Sequence, residues 1–168
     1  MAQDSAKKRV LVTGGTGFIG SNLALHLAEE GHNVIAMGKK EEYDKNLLGF
    51  KGLTIFLTLE EIIKNEAEWD RLIGNVDVLF HQAAITDTYV TDEQKMFKVN
   101  LHDSIDLFEK ARKHGCRKIV YASSTAVYGD SKAPYLEGTT KTNPLNIYGK
   151  SKLELEKFAT SFTSTNSD

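Results

Sequence analysis

The 168-residue chain predicts a doubly wound, parallel α/β sheet. Short apolar runs at 9–13, 33–37, 53–57, 76–80 and 117–122 alternate with helical patterns at 18–30, 59–73, 92–114 and 147–163, the order expected of parallel strands joined by crossover helices. The runs Val34-Ile35-Ala36-Met37 and Val76-Asp77-Val78-Leu79-Phe80 are near-continuously apolar, as strands covered by helices on both faces must be. A glycine-rich segment, Val12-Thr13-Gly14-Gly15-Thr16-Gly17-Phe18-Ile19-Gly20, separates the first strand from the first helix.

Taken in order, Arg9 to Thr13 reads as the first strand. Phe18 to Glu30 reads as a helix with Ile19, Leu23, Ala24 and Leu27 on one face and Gly31 at its end. The glycines between them each answer a different need. Gly14 can adopt the positive φ of a tight turn, Gly17 lets backbone N–H groups approach an anion, and Gly20 lets the helix close on the sheet. The N–H groups opening the helix then face a pyrophosphate. Gly14, Gly17, Phe18, Ile19 and Gly20 are therefore candidate cofactor contacts in a Rossmann-like fold, although the spacing is G-x-x-G-x-x-G instead of the commoner G-x-G-x-x-G.

The second strand ends at Gly38-Lys39-Lys40, where dinucleotide sites selective for NAD carry an acid that bonds the ribose 2′-OH. Without that acid, and with two cations beside it, the turn favours NADP, with NAD as the alternative. A solvated basic turn followed by Glu41 and Glu42 is the plain structural reading. The fifth strand runs into Tyr121-Ala122-Ser123-Ser124-Thr125-Ala126-Val127-Tyr128-Gly129, at the carboxyl end of the sheet, where open α/β sheets bind ligands. A serine there can donate to a substrate oxygen. Tyr148 and Lys152, four apart at the start of the last helix, share a face. Tyrosine ordinarily titrates at about 10, so acid/base work near neutrality needs a neighbouring cation to favour the phenolate. Lys152 supplies one.

Composition excludes several classes. A net charge of -2 with scattered lysines and arginines gives no basic stripe, so nucleic-acid binding is not expected. No apolar run approaches the roughly 20 residues that span a bilayer, and the start lacks an apolar signal core. The expectation is a cytoplasmic protein with no membrane association. Cys116 is the single cysteine and reads as structural, and the five histidines show no metal-ligand spacing. The domain expectation is a flexible 1–7, an NAD(P)-binding domain over 8–163 and a polar tail over 164–168.

Together the glycine turn, the serine segment and Tyr148-Gly149-Lys150-Ser151-Lys152 resemble the extended short-chain dehydrogenases, the NAD(P)-dependent nucleotide-sugar epimerase/dehydratase family. The resemblance covers about Lys8 to Phe162. It implies a catalytic set of Ser124, Tyr148 and Lys152, with Lys152 also holding the nicotinamide ribose. It further implies that His81-Gln82-Ala83-Ala84 lines the cofactor groove, with Ala83 and Ala84 as contacts, and that Asn100 supports the site. Members that eliminate water usually have Thr-Asp-Glu where this chain has Ser124-Thr125-Ala126, which disfavours dehydration and leaves epimerisation or simple oxidoreduction. The stretches HQAAITDT and NPLNIYGKSK resemble ADP-heptose 6-epimerases in particular, implying a nucleotide-sugar substrate.

Two departures matter. After the third strand the family often carries an acid near the adenine, where this chain has Thr58-Leu59. The pattern also ends after five strands, whereas a complete double sheet has about six, so a C-terminal substrate lobe is expected to be missing and catalysis by this length of chain to be weak. By resemblance, helices 92–114 and 147–163 form a homodimer interface.

Overall fold

A computed structural model describes residues 7–164. The expected flexible start and polar tail lie outside the described residues except for Lys7 and Ser164. The chain divides into two compact units, one of 1–83 with 107–122 and one of 84–106 with 123–168.

The first unit contains a five-stranded sheet: β1 (Arg9–Thr13), β2 (Asn33–Met37), β3 (Leu53–Ile55), β4 (Val78–His81) and β5 (Lys118–Tyr121). All four pairings are parallel, in the order β3-β2-β1-β4-β5. Winding proceeds outward from β1 to β2 and β3, then restarts at β4 on the other side. The carboxyl end of β1 is therefore the topological switch point, where such sheets bind ligands.

Alternation along the strands builds two cores. Val10, Val12, Val34, Ala36 and Val78 join Ala24 and Leu47, with Leu23, Leu27, Tyr43 and Phe80 packed against them. Leu11, Ile35 and Leu79 are buried on the alternate face. On this first face lies α1 (Phe18–Glu29), whose buried residues are Gly20, Ser21 and Ala24. Ile19 was expected on the core face but is 67% exposed, because the helix turns its Gly20 and Ala24 inward to approach the sheet.

Several elements differ from the sequence expectation for identifiable reasons. A short α2 (Lys40–Asn46) follows β2; it has no buried residue, so no apolar period announced it. The expected helix 59–73 is divided into α3 (Leu59–Lys64), α4 (Glu66–Glu68) and a π-helical turn (Trp69–Ile73). Asn65 divides it: its extended backbone ends α3, and its side chain accepts from Glu68 N at 3.1 Å, the local competition that keeps Asn out of helix interiors. β4 begins two residues later than expected, and just before it the Asp77 carboxylate accepts from Arg9 N at 2.8 Å and from Arg117 Nη2 at 2.9 Å. Those hydrogen bonds, the Arg9 N–H foremost, hold its carboxyl below the usual range. Cys116 is buried, and burial pushes its thiol up, consistent with a structural role.

The second unit contains α5 (Glu93–Phe97), a π-helical turn (Lys98–His102), the start of α6 (Asp103–Lys113), a 3-10 turn (Thr125–Val127) and α7 (Ile147–Ser164). The expected helix 92–114 thus contains one π turn, a feature frequent at functional positions.

Candidate active site

In the first unit, the loop from Gly14 to Gly17 joins β1 to α1 at the switch point. Gly14 has φ 67°, and a Cβ there would stand 2.8 Å from Ala83 N and 2.9 Å from Gln82 C. The turn therefore needs glycine twice over, for its backbone angle and for the backbone leaving β4. At Gly20 a Cβ would overlap Gly14 O and stand 2.7 Å from Gly14 C, so this glycine is what lets α1 close onto its own entry turn. Gly17 differs. A Cβ there would meet only Gly14 O at 3.3 Å and Glu42 Oε2 at 3.5 Å, so packing tolerates a side chain that an approaching phosphate would not.

Gly17 is the N-cap of α1 with extended backbone, leaving the N–H groups of the first helical turn directed toward any bound anion. Phe18 is 81% exposed beside them. The turn is braced by Gly15 N donating to Met37 O at 2.8 Å and Gly17 N to Gly14 O at 3.0 Å. These features fit a dinucleotide pyrophosphate: a close-packed glycine turn, an open cap and a helix N-terminus. Lys39 and Lys40 are exposed just beyond Gly38.

His81 lies opposite Thr13 in the β1–β4 register, and Thr13 Oγ1 is 2.7 Å from His81 Nδ1. The ring is 1% exposed and sits edge-on to Phe108 at 5.4 Å. What the 81–84 segment offers Gly14 is therefore backbone from Gln82 and Ala83, while the imidazole fixes the strand ends beneath.

In the second unit, Tyr148 and Lys152 occupy successive turns of α7, with Lys152 Nζ 6.0 Å from the Tyr148 ring centroid. Lys152 is only 3% exposed, and burial lowers its ammonium to about 8, so it is a cation at neutral pH that is easily deprotonated in mild alkali. Ser124 caps the 3-10 turn, its Oγ accepting from Ala126 N at 3.2 Å. Accepting that bond leaves the hydroxyl hydrogen able to donate.

Gly149, which sequence reasoning did not single out, joins the two pieces. A Cβ there would stand 2.7 Å from Ala126 O and 3.0 Å from Pro144 Cβ, so glycine lets the start of α7 rest directly on the turn that Ser124 caps. Asn146 caps the helix beside it, its Oδ1 accepting from Gly149 N at 2.7 Å.

Asn100, 1% exposed in the π turn, forms a two-pronged clasp. Its Oδ1 accepts from Ile85 N at 2.8 Å and its Nδ2 donates to Ile85 O at 2.9 Å. The same amide reaches Ser151 Oγ at 3.3 Å, and Ser151 in turn donates to Tyr148 O at 2.7 Å. A chain of hydrogen bonds thus runs from Ala84's neighbour Ile85 through Asn100 to the backbone of Tyr148. A second clasp, Ser123 Oγ donating to Glu156, ties the serine segment to α7 one turn beyond Lys152.

No metal-ligand spacing was visible in the sequence, but folding brings Glu66, Asp70 and His114 together with ligand atoms within 4.8 Å of one another. Glu66 there is engaged by Lys110 at 2.8 Å and Lys113 at 3.3 Å, chiefly Lys110, and these hold its carboxyl down at about 2. The cluster reads as an ion-pair network.

The sequence profile of the NAD dependent epimerase/dehydratase family matches residues 10–167. The chain belongs to that family. It is 36% identical over 147 residues to the ADP-L-glycero-D-manno-heptose-6-epimerase of Thiobacillus denitrificans, covering 84% of this chain and 42% of that protein. The crystal structure of the Helicobacter pylori ADP-L-glycero-D-manno-heptose-6-epimerase superposes with a TM-score of 0.79 at 37% identity, over 93% of this chain and 51% of that one. A UDP-glucose 4-epimerase from Bifidobacterium longum, solved in complex with NAD+ and UDP, gives 0.77 at 26% identity, over 94% and 50%. This family member therefore spans about half the length of the relatives it matches. Among the described residues no helix is long and apolar enough to cross a membrane.

Proposed function

We propose that the chain is the cofactor-binding and proton-transferring part of an NAD(P)-dependent nucleotide-sugar epimerase. The observation that carries this reading is the glycine turn: Gly14 and Gly20 are packed shut while Gly17 stays open beside the N-terminus of α1, the pattern a pyrophosphate needs. Gly14, Gly17, Phe18, Ile19, Gly20 and the Ala83–Ala84 backbone would hold the dinucleotide. Lys39 and Lys40 would pair with a 2′-phosphate, making NADP the favoured cofactor. NAD has one observation on its side, since the Glu42 carboxylate reaches the Gly17 side of the turn and can accept from a ribose hydroxyl.

A bound nicotinamide ring supplies reversible hydride transfer. The chain's own residues do the rest. Tyr148 takes the proton of the sugar hydroxyl being oxidised and returns it after the keto sugar is presented by its other face. Lys152 provides the positive charge beside the ring and the contact to the nicotinamide ribose. Ser124 donates to the oxygen that becomes the carbonyl. Asn100 keeps Ile85 and the start of α7 in register so that Tyr148 does not drift. Helices over 92–114 and 147–163 would form a homodimer; the shallow groove lined by Glu93, Gln94, Phe97 and His102 lies on the first of them.

A net reductase or dehydrogenase is the competing reading, and the two differ in stoichiometry. An epimerase interconverts sugars with catalytic cofactor, whereas a reductase consumes one cofactor per turnover. The test is NMR of ADP-heptose and UDP-glucose incubated with the protein and catalytic NADP or NAD. Tyr148→Phe should leave cofactor binding within about twofold and cut epimerisation by about 100-fold or more, the usual scale of a lost acid/base group. Turnover near wild type in Tyr148→Phe would exclude its role.

A further inference from the structure

A side chain at position 38 would run into Thr16. Gly38 has an ordinary φ, so its backbone would accept any residue, yet a Cβ there would overlap Thr16 Oγ1 and stand 3.0 Å from both Thr16 Cβ and Thr16 N. The backbone on both sides is tied down. Thr16 is fully buried, and its carbonyl accepts from Asn46 Nδ2 at 2.7 Å. Gly38 N donates to Ile55 O at 3.1 Å, and the neighbouring Met37 O accepts from Gly15 N at 2.8 Å. Thr16 Oγ1 is also the one buried side-chain oxygen or nitrogen among the described residues without a hydrogen-bond partner.

We propose that Thr16 sets the cofactor choice of the cradle by filling the space a side chain at position 38 would need, which bars the acid that selects NAD. The inference rests on the dinucleotide reading above and adds to it a residue outside the glycine motif's own positions. Positions 16 and 38 compete for one volume, and this chain gives it to Thr16. The strand end is then bare, and Lys39 and Lys40 are the next side chains a ribose 2′-substituent meets.

The experiment is a mutant cycle on the 168-residue chain, read by apo melting temperature and by fluorescence titration with NADPH and NADH. Gly38→Asp alone should lower the apo melting temperature by about 5 °C, the cost of forcing a side chain into a filled site. Thr16→Gly combined with Gly38→Asp should recover most of that loss and move the NADH-to-NADPH affinity ratio at least about tenfold toward NADH, through an acid that bonds the 2′-OH and repels a 2′-phosphate. Thr16→Val keeps the volume and discards the hydroxyl, so it should leave the ratio unchanged. Glu42 is retained throughout and cannot account for the difference.

Additive melting shifts, or a double variant with the wild-type ratio, overturn the proposal. A changed ratio in Thr16→Val overturns it as well, because the hydroxyl and not the volume would then be the determinant. A wild-type chain that binds neither cofactor refutes the dinucleotide reading itself, and the apo melting cycle still decides whether Thr16 excludes a side chain at 38.

Discussion

Lys152 shows how a single side chain in this protein is held against its own solvation. Its ammonium is buried, and that burial lowers it from 10.5 to about 8. Below pH 8 the lysine is protonated in both folded and unfolded chains, and the folded state bears the cost of burying the charge. Between about 8 and 10.5 the folded chain releases its proton while the unfolded chain keeps it, so stability rises with pH through that window. At about 1.36 kcal/mol per pKa unit the cost at neutrality is about 3 kcal/mol. Lys152→Met should therefore raise the unfolding free energy at pH 7 by about 1–3 kcal/mol, with the advantage shrinking toward pH 10, as urea denaturation at the two pH values would show. A variant equally or less stable at pH 7 would mean that Lys152's contacts outweigh its desolvation. The stability gain is expected to come with loss of turnover, the trade found where a functional group is strained. The Tyr148–Lys152 pair was legible in the sequence because a four-residue spacing on a helix needs no tertiary information. Thr16 was not, since its meaning depends on Gly38, which is distant in sequence and close only once β1 and β2 pair.

Among the elements, the start of α7 and the Ser124 turn are built as one piece, and Gly149 is the joint. Alanine is ordinarily favoured over glycine in a helix by about 1 kcal/mol. Here the added methyl would press on Ala126 O and Pro144, and overpacking of this kind costs about 1–3 kcal/mol. Gly149→Ala should thus be destabilising in urea titrations and should depress turnover, whereas a more stable variant would show that the contact is slack. Asn100 is the other joint. Asn100→Leu leaves the Ile85 N–H and C=O without their partner and should cost about 1–3 kcal/mol; unchanged stability would show that solvent replaces the clasp. The strands and α1, α6 and α7 were readable from apolar period and end signals. The breaks were not: Asn65 divides the expected helix 59–73, its side chain accepting from Glu68 N, and a π turn containing Asn100 interrupts 92–114. The helix α2 escaped notice because nothing on it is buried.

For the whole molecule, five parallel strands in the order β3-β2-β1-β4-β5 fix the glycine turn at the switch point, and membership of the NAD dependent epimerase/dehydratase family supports the proposal that this turn holds a dinucleotide. The class of fold was legible because near-continuous apolar strands alternating with helices have few other solutions. The substrate was less so, since half the length of the relatives lies beyond this chain's match. The homodimer expected through 92–114 and 147–163 predicts a doubled mass by light scattering at high concentration, and a monomer there would contradict it.

On the reading proposed above, residues 14–20 cradle a dinucleotide pyrophosphate. That reading is tested most directly by the melting temperature of the chain with saturating NADPH or NADH, beside Gly17→Val. Ligand at about 100 times its Kd stabilises by about 2.7 kcal/mol, which for a chain of this size is about 5–10 °C. That shift is expected for the wild type, larger with NADPH, and a Gly17→Val variant should fold normally and show none. No shift with either cofactor, or an undiminished shift in Gly17→Val, would contradict it.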